Sequence, residues 1–310
     1  MAIRITQDKI SSVTVTPPPP NAYGSISGYT SGGGPGKNTI EKFSFSSDGN
    51  ATDVGDLSRG APQVTGSSSS VSGYASGGTG AGSPAPPTST IIEKFPFAAD
   101  GNSTDVGDLV VDNRIAAGHS SDVSGYISGG SNIGVAISNV IEKFPFATDA
   151  NATDVGDLFQ ATRGGAGQSS DVSGYTSGGS TPPNLNTIQK FPFSSDGNST
   201  DVSNLTRYTA VSMGQSSDSF GYNAGGGTPI VNIIDKFPFA TDANATDVGD
   251  LTQSRYAGTG QSSTVSGYSS AGLSPGLEAT IDKFPFATDG NATDVGDLTE
   301  GKYFLAGHQV

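Results

Sequence analysis

Eighteen residues, Ile141–Leu158, read Ile-Glu-Lys-Phe-Pro-Phe-Ala-Thr-Asp-Ala-Asn-Ala-Thr-Asp-Val-Gly-Asp-Leu. The chain of 310 residues carries this phrase six times with small changes, starting at Ile40, Ile92, Ile141, Ile188, Ile234 and Ile281. Repetition at a fixed period calls for one supersecondary unit made over and over. Each copy has the pattern of a β-hairpin. An apolar, aromatic strand leads into Asp-Gly-Asn or Asp-Ala-Asn, which suits a tight turn, and a second strand follows. Within the first strand the period of two places Phe95 and Phe97 on one face and Ile92 on the other. A strand that is apolar on both faces belongs in a sheet covered on both sides. Pro96 between the two Phe residues predicts a bulge there, or a position whose missing N–H faces no partner.

A second recurring piece, Gly-Tyr followed by a double glycine or a close variant, sets the period. Its tyrosines are Tyr29, Tyr74, Tyr126, Tyr175, Tyr222 and Tyr268, at steps of 45, 52, 49, 47 and 46 residues. That spacing fits a four-stranded propeller blade. No stretch shows helical periodicity. Length varies mainly in the loop after the double glycine, such as Thr79–Ser89 against Gly34–Asn38, which predicts one face of unequal loops. The few large apolar side chains of one repeat cannot offset the entropy of ordering it, so each repeat must be covered by its neighbours, and a ring leaves no face bare.

The ends support closure. With Leu298 set on Leu251, Val310 falls on Ser263; with Tyr29 set on Tyr268, Gly24 also falls on Ser263. The chain stops where the repeat began. The expectation is a six-bladed all-β propeller over residues 22–310, in which Tyr303–Gly307 supplies the missing first strand of the first blade. Residues 1–21 stand outside the repeat. Ile10, Val13 and Val15 lie in a short alternating segment, and Pro17, Pro18, Pro19 and Pro20 form a stiff spacer. These residues read either as a disordered tail or as an attachment arm that docks on another chain or subunit, and the arm is the expectation.

Composition narrows the function. The net charge is −14, with a pI near 4.3, which opposes binding to phosphate backbones, so no nucleic-acid partner is expected. There are no cysteines, hence no disulfides, thiolate metal sites or cysteine nucleophiles. No apolar run is long enough for a membrane helix, and the opening residues lack the apolar stretch of a secretion signal, so a protein made without one is expected.

Several motifs have both a structural and a functional reading. The Asp-rich turns have part of the spacing of a calcium loop, but a closing bidentate carboxylate cannot be placed, so a polar turn is expected. The Asn-x-Ser/Thr sequons at Asn50, Asn102, Asn151, Asn198, Asn244 and Asn291 read as turns. His119 and His308 share a slot with Gln168, Gln215 and Gln261, which points to a hydrogen-bonding role. One basic residue recurs per repeat, Arg59, Arg114, Arg163, Arg207, Arg255 and Lys302, either as a ring near the axis or as ion pairs with nearby Asp. The Gly-Tyr tyrosines either stack on sugar or pack inside the blade.

Arg163-Gly-Gly-Ala-Gly167, Gly174-Tyr-Thr-Ser-Gly-Gly179 and Thr187-Ile-Gln-Lys-Phe191 together resemble the kelch repeat, without its usual Trp, over roughly residues 24–310. The phrase from Lys283 to Leu298 more closely resembles repeats in structural proteins of marine tailed bacteriophages, notably those of cyanobacteria. The resemblance implies a virion component: a tail or fibre protein, or a capsid decoration, assembled in the host cytoplasm. The expected function is therefore a non-enzymatic virion structural protein that contacts other virion proteins through residues 1–21. A lectin-like propeller binding host surface carbohydrate through its variable loops is the alternative. No catalytic residue, metal ligand or cofactor is expected.

Overall fold

The structure, a computed structural model, describes residues 24–80, 88–132, 134 and 136–310. The predicted arm residues Ile10, Val13, Val15 and Pro17–Pro20 lie outside the described residues. The described chain forms six antiparallel sheets of four strands each, arranged as a propeller. Five blades use four consecutive strands. The first is composite: Ser27–Ser31, Thr39–Ser44 and Thr52–Asp56 are joined at the inner edge by the C-terminal strand Ala306–Gln309. That strand pairs with Ser27–Ser31 through Gly28↔Gln309, Tyr29↔His308, Thr30↔Gly307 and Ser31↔Ala306. It begins three residues later than the sequence suggested, because Tyr303–Leu305 form the connection into the blade. Val310 then completes the inner turn across the chain break. Its N–H donates to Ser27 O, as Ser69 N–H does to Ser72 O within the second blade.

No blade has a core of its own. Each hydrophobic cluster joins the Tyr, Ile and Leu of one blade to the two Phe of the next. Tyr29, Ile40 and Leu57 meet Phe95 and Phe97, and the arrangement continues round to Tyr268, Ile281 and Leu298 against Phe43 and Phe45. The two-faced strand thus holds the blades together, with Ile92 facing the third blade and Phe95 the first. Gly28 and its five counterparts lie under the Phe ring of their own blade; a methyl at Gly28 would overlap Phe43.

The bulge is displaced from the predicted site. Register shifts between Ile92 and Glu93, and equivalently in the other blades, while Pro96 ends its strand paired only inward, with Ser72. The outer partner stops at Lys94↔Thr104, so the proline lacks an N–H where no outer acceptor is in register. The second of the two predicted alternatives holds.

Candidate functional site

The repeated turn clasps the neighbouring blade. Each strand Lys reaches the turn Asp of the next: Lys42–Asp100, Lys94–Asp149, Lys143–Asp196, Lys190–Asp242, Lys236–Asp289 and Lys283–Asp48, at 2.7–3.1 Å. Each sequon Asn accepts through Oδ1 a backbone N–H of the preceding blade, from Asp297 for Asn50 and Asp56 for Asn102, at 3.0–3.1 Å around the ring. Among the described residues no group of three acidic or imidazole side chains is placed to hold a metal. Five of the six Gly-Tyr tyrosines donate to a Phe carbonyl of the next blade, as Tyr29 does to Phe97, and all six are buried. Tyr222 stacks on Phe286 with its hydroxyl unpartnered, and burial pushes it up to about 12.

The six innermost strands surround an axial cavity of about 150 Å³. Gly66, Gly118, Gly167, Gly214, Gly260 and Gly307 bring these strands together: a methyl on any of them would overlap the carbonyl oxygen of the glycine before it in the ring. Backbone N–H groups also bond to serine hydroxyls of the next blade, from Ser68 to Ser120, Ser120 to Ser169, Ser169 to Ser216, Ser216 to Ser262 and Gln309 to Ser68, at 2.9–3.1 Å. The His/Gln slot faces the blade interfaces. His119 donates from Nδ1 to Gln168 O at 3.1 Å, so its Nε2 accepts from Ser128 Oγ at 2.9 Å. His308 repeats this with Ser67 O and Ser31 Oγ. Burial pushes both imidazoles down from 6.5 to about 4, so they are neutral near pH 7.

The basic residues divide into two groups. Four are ion-paired with the strand carboxylate of the next blade: Arg59–Glu93, Arg207–Asp235, Arg255–Asp282 and Lys302–Glu41. The predicted pairing holds there, with Glu as well as Asp. Arg114 and Arg163 depart from it. They lie five residues beyond Leu109 and Leu158, whereas the others lie two or four beyond their Leu. The acid slots they would have served are held differently. Buried Glu142 accepts N–H bonds from Val110 and Val111, and burial pushes its pKa up. Gln189 replaces the acid and bonds both ways to the Gln160 backbone.

One to three more residues of backbone carry the displaced arginines to the axial mouth, where a closed belt of hydrogen bonds runs. Gln63 donates to Phe304, Phe304 to Ala257, Ala257 to Val211, Val211 to Gly164, Gly164 to Ile115 and Ile115 back to Gln63, at 2.6–3.1 Å. All six belt residues have φ between 51° and 65°. The residues just before them are Pro62, Arg114, Arg163, Ala210, Tyr256 and Tyr303. A belt whose backbone repeats in all six blades therefore has two adjacent arginines on one side of this mouth and two adjacent tyrosines on the other. Sequence reading missed this set because it grouped the arginines by repeat; their distance from the preceding Leu was the available signal. The mouth lies on the face of the unequal loops. Gly34 and Tyr303, Ser131 and Arg114, and Ser180 and Arg163 are bridged partners there.

These features define a six-bladed β-propeller whose first blade takes its inner strand from the C-terminal end of the chain. No family model matches the chain, and no curated protein does. Among solved structures it is similar in fold to the one titled "Structure of YjhT", at 13% identity and a TM-score of 0.69, covering 88% of this chain and 97% of that one.

Proposed function

We propose that the chain is a non-enzymatic structural protein of a tailed-phage particle, anchored through residues 1–21 with its propeller displayed outward. The observation that carries this reading is where the polar groups of the repeats are used. The Lys, Asp and Asn of all six hairpins, and the histidines, are bonded between blades. Such residues build a rigid ring, and the phage-like phrase at Lys283–Leu298 supports a particle setting. Gly24 leaves the ring beside Ser262 and Val310, at the ends of the blades opposite the double-glycine loops, so an anchored arm would leave those loops free. Deleting residues 1–21 should leave the thermal transition unchanged and abolish incorporation into particles, scored by immunoblotting of purified particles. Unimpaired incorporation would refute the arm.

A second reading, a lectin-like propeller, is favoured by one observation: the loops of unequal length share a face with the asymmetric mouth. Binding on a glycan array separates it from a purely structural role.

A further inference from the structure

We infer that the axial mouth on the variable-loop face binds a short saccharide bearing carboxylate or sulfate groups. Arg114 and Arg163 contact the anion, and Tyr256 and Tyr303 contact the sugar. This deepens the lectin-like reading and rests on it.

The belt places the four residues. Ile115 and Gly164 are hydrogen-bonded neighbours, so Arg114 and Arg163, one residue earlier, stand side by side. Ala257 and Phe304 are likewise bonded, which puts Tyr256 beside Tyr303 across the axis. Half-buried Ile115, Val211 and Phe304 pave the belt between the two pairs.

The arginines have unused capacity. Arg114 makes one long bond, from Nη1 to Gln63 Oε1 at 3.3 Å, and its Nε is buried without a partner. The Arg163 guanidinium has no hydrogen bond or ion pair among the described residues, although its backbone is fixed on both sides by Ser180. Their counterparts in four other blades each face a carboxylate within 4 Å, although Arg59, Arg207 and Arg255 also keep a buried Nε without a hydrogen bond. Arg114 and Arg163 differ in having no carboxylate partner among the described residues, and Glu142 and Gln189 let the third and fourth blades manage without an ion pair. Two guanidiniums released together at one mouth suit a planar or tetrahedral oxyanion, which each can grip through two parallel N–H groups. Nearby carboxylates are engaged elsewhere: Asp112 accepts from Thr88, Glu300 pairs with Lys37 and Glu278 accepts from Gln253.

The tyrosines differ from the packed Gly-Tyr set. Their hydroxyls have no partner among the described residues, and both rings are half-buried. Gly34 makes room for Tyr303, since a methyl there would lie 2.5 Å from its Cζ. A ring held this way offers an apolar face and a polar edge, as a sugar requires. The chain's net charge of −14 repels long polyanions, so recognition is local and the ligand short.

The test is calorimetric titration of the full chain with a uronate oligosaccharide, a sulfated oligosaccharide and their neutral parents. The acidic forms should bind and the neutral parents bind at least tenfold more weakly; the stronger of the two acids identifies the anion. Arg114→Gln and Arg163→Gln should each weaken binding about 10- to 100-fold, the range for hydrogen bonds to charged groups. Lys94→Gln on the opposite rim should leave binding unchanged. Unaltered melting curves will show that the variants fold, as expected for Arg163, whose side chain has no partner to lose. Equal binding of acidic and neutral sugars, or undiminished binding by the double arginine variant, overturns this site while the lectin reading stands. No saccharide binding at millimolar concentration overturns both.

Discussion

Acid should loosen this ring through two residues, His119 and His308. Each is fully buried, donates from Nδ1 to a carbonyl of the next blade and lies edge-on to a Phe ring. Burial sets their folded-state pKa at about 4, below the usual 6.5. The unfolded chain therefore takes up these protons first, and stability falls as pH drops from about 6.5 towards 4. At 1.36 kcal/mol per pKa unit, each histidine costs roughly 2 kcal/mol at pH 5 and about 3 kcal/mol at pH 4. Two together remove about 4 kcal/mol at pH 5, a large share of a typical stability of about 5–15 kcal/mol. Replacement by Gln is suggested by the molecule, because Gln168, Gln215 and Gln261 fill the same slot and bond through Nε2 to the next blade. The assay is urea unfolding of wild type and His119→Gln/His308→Gln between pH 7 and pH 4.5. The two should be similar at pH 7, with the variant gaining about 4 kcal/mol over wild type by pH 5. Groups such as Glu142 and Asp235, whose pKa values burial raises, titrate in both proteins and cancel in the difference. Parallel loss of stability in the two proteins would refute the reasoning.

Three further outcomes are expected. Gly260→Ala, whose methyl would overlap Gly214 O at the axis, should lower the melting temperature sharply, whereas Gly290→Ala, with nothing within 4 Å, should leave it nearly unchanged; equal effects would contradict the close approach of the inner strands. Lys302→Met strands buried Glu41 and should cost about 3–5 kcal/mol in denaturant unfolding, with much of the loss recovered by adding Glu41→Gln, the residue type at Gln189. Lys94→Ala breaks a rim pair in which Asp149 is 55% exposed and should cost less than about 1 kcal/mol, measured the same way.

The fold was readable because it rests on periodic features. The Tyr spacing gave the blade, the two-faced strand gave inter-blade cores, and the coincidence of Gly24 and Val310 on Ser263 gave the closure. The mouth was hidden for two physical reasons. Its arginines differ from the paired ones only by one to three residues of offset, and such an offset changes a partner only once a register exists. The belt that arranges them uses Ile115, Val211 and Phe304 at positive φ, a conformation these side chains disfavour and composition does not signal. It is imposed by the ring, each residue being held by bonds to blades on both sides.

The composite first blade also determines how the molecule would bear a load. Ser25, Ile26 and Ser27 all donate to the carbonyl of Val310, and the strand that follows is hydrogen-bonded to Ala306–Gln309 on one side and Thr39–Ser44 on the other. Tension applied through residue 24 therefore runs along an interior strand and strains both ladders in shear at once, whereas a strand at the outer edge of a blade could be unzipped one bond at a time. A propeller towed by its N-terminus pulls on its own closure in the direction in which that closure resists best.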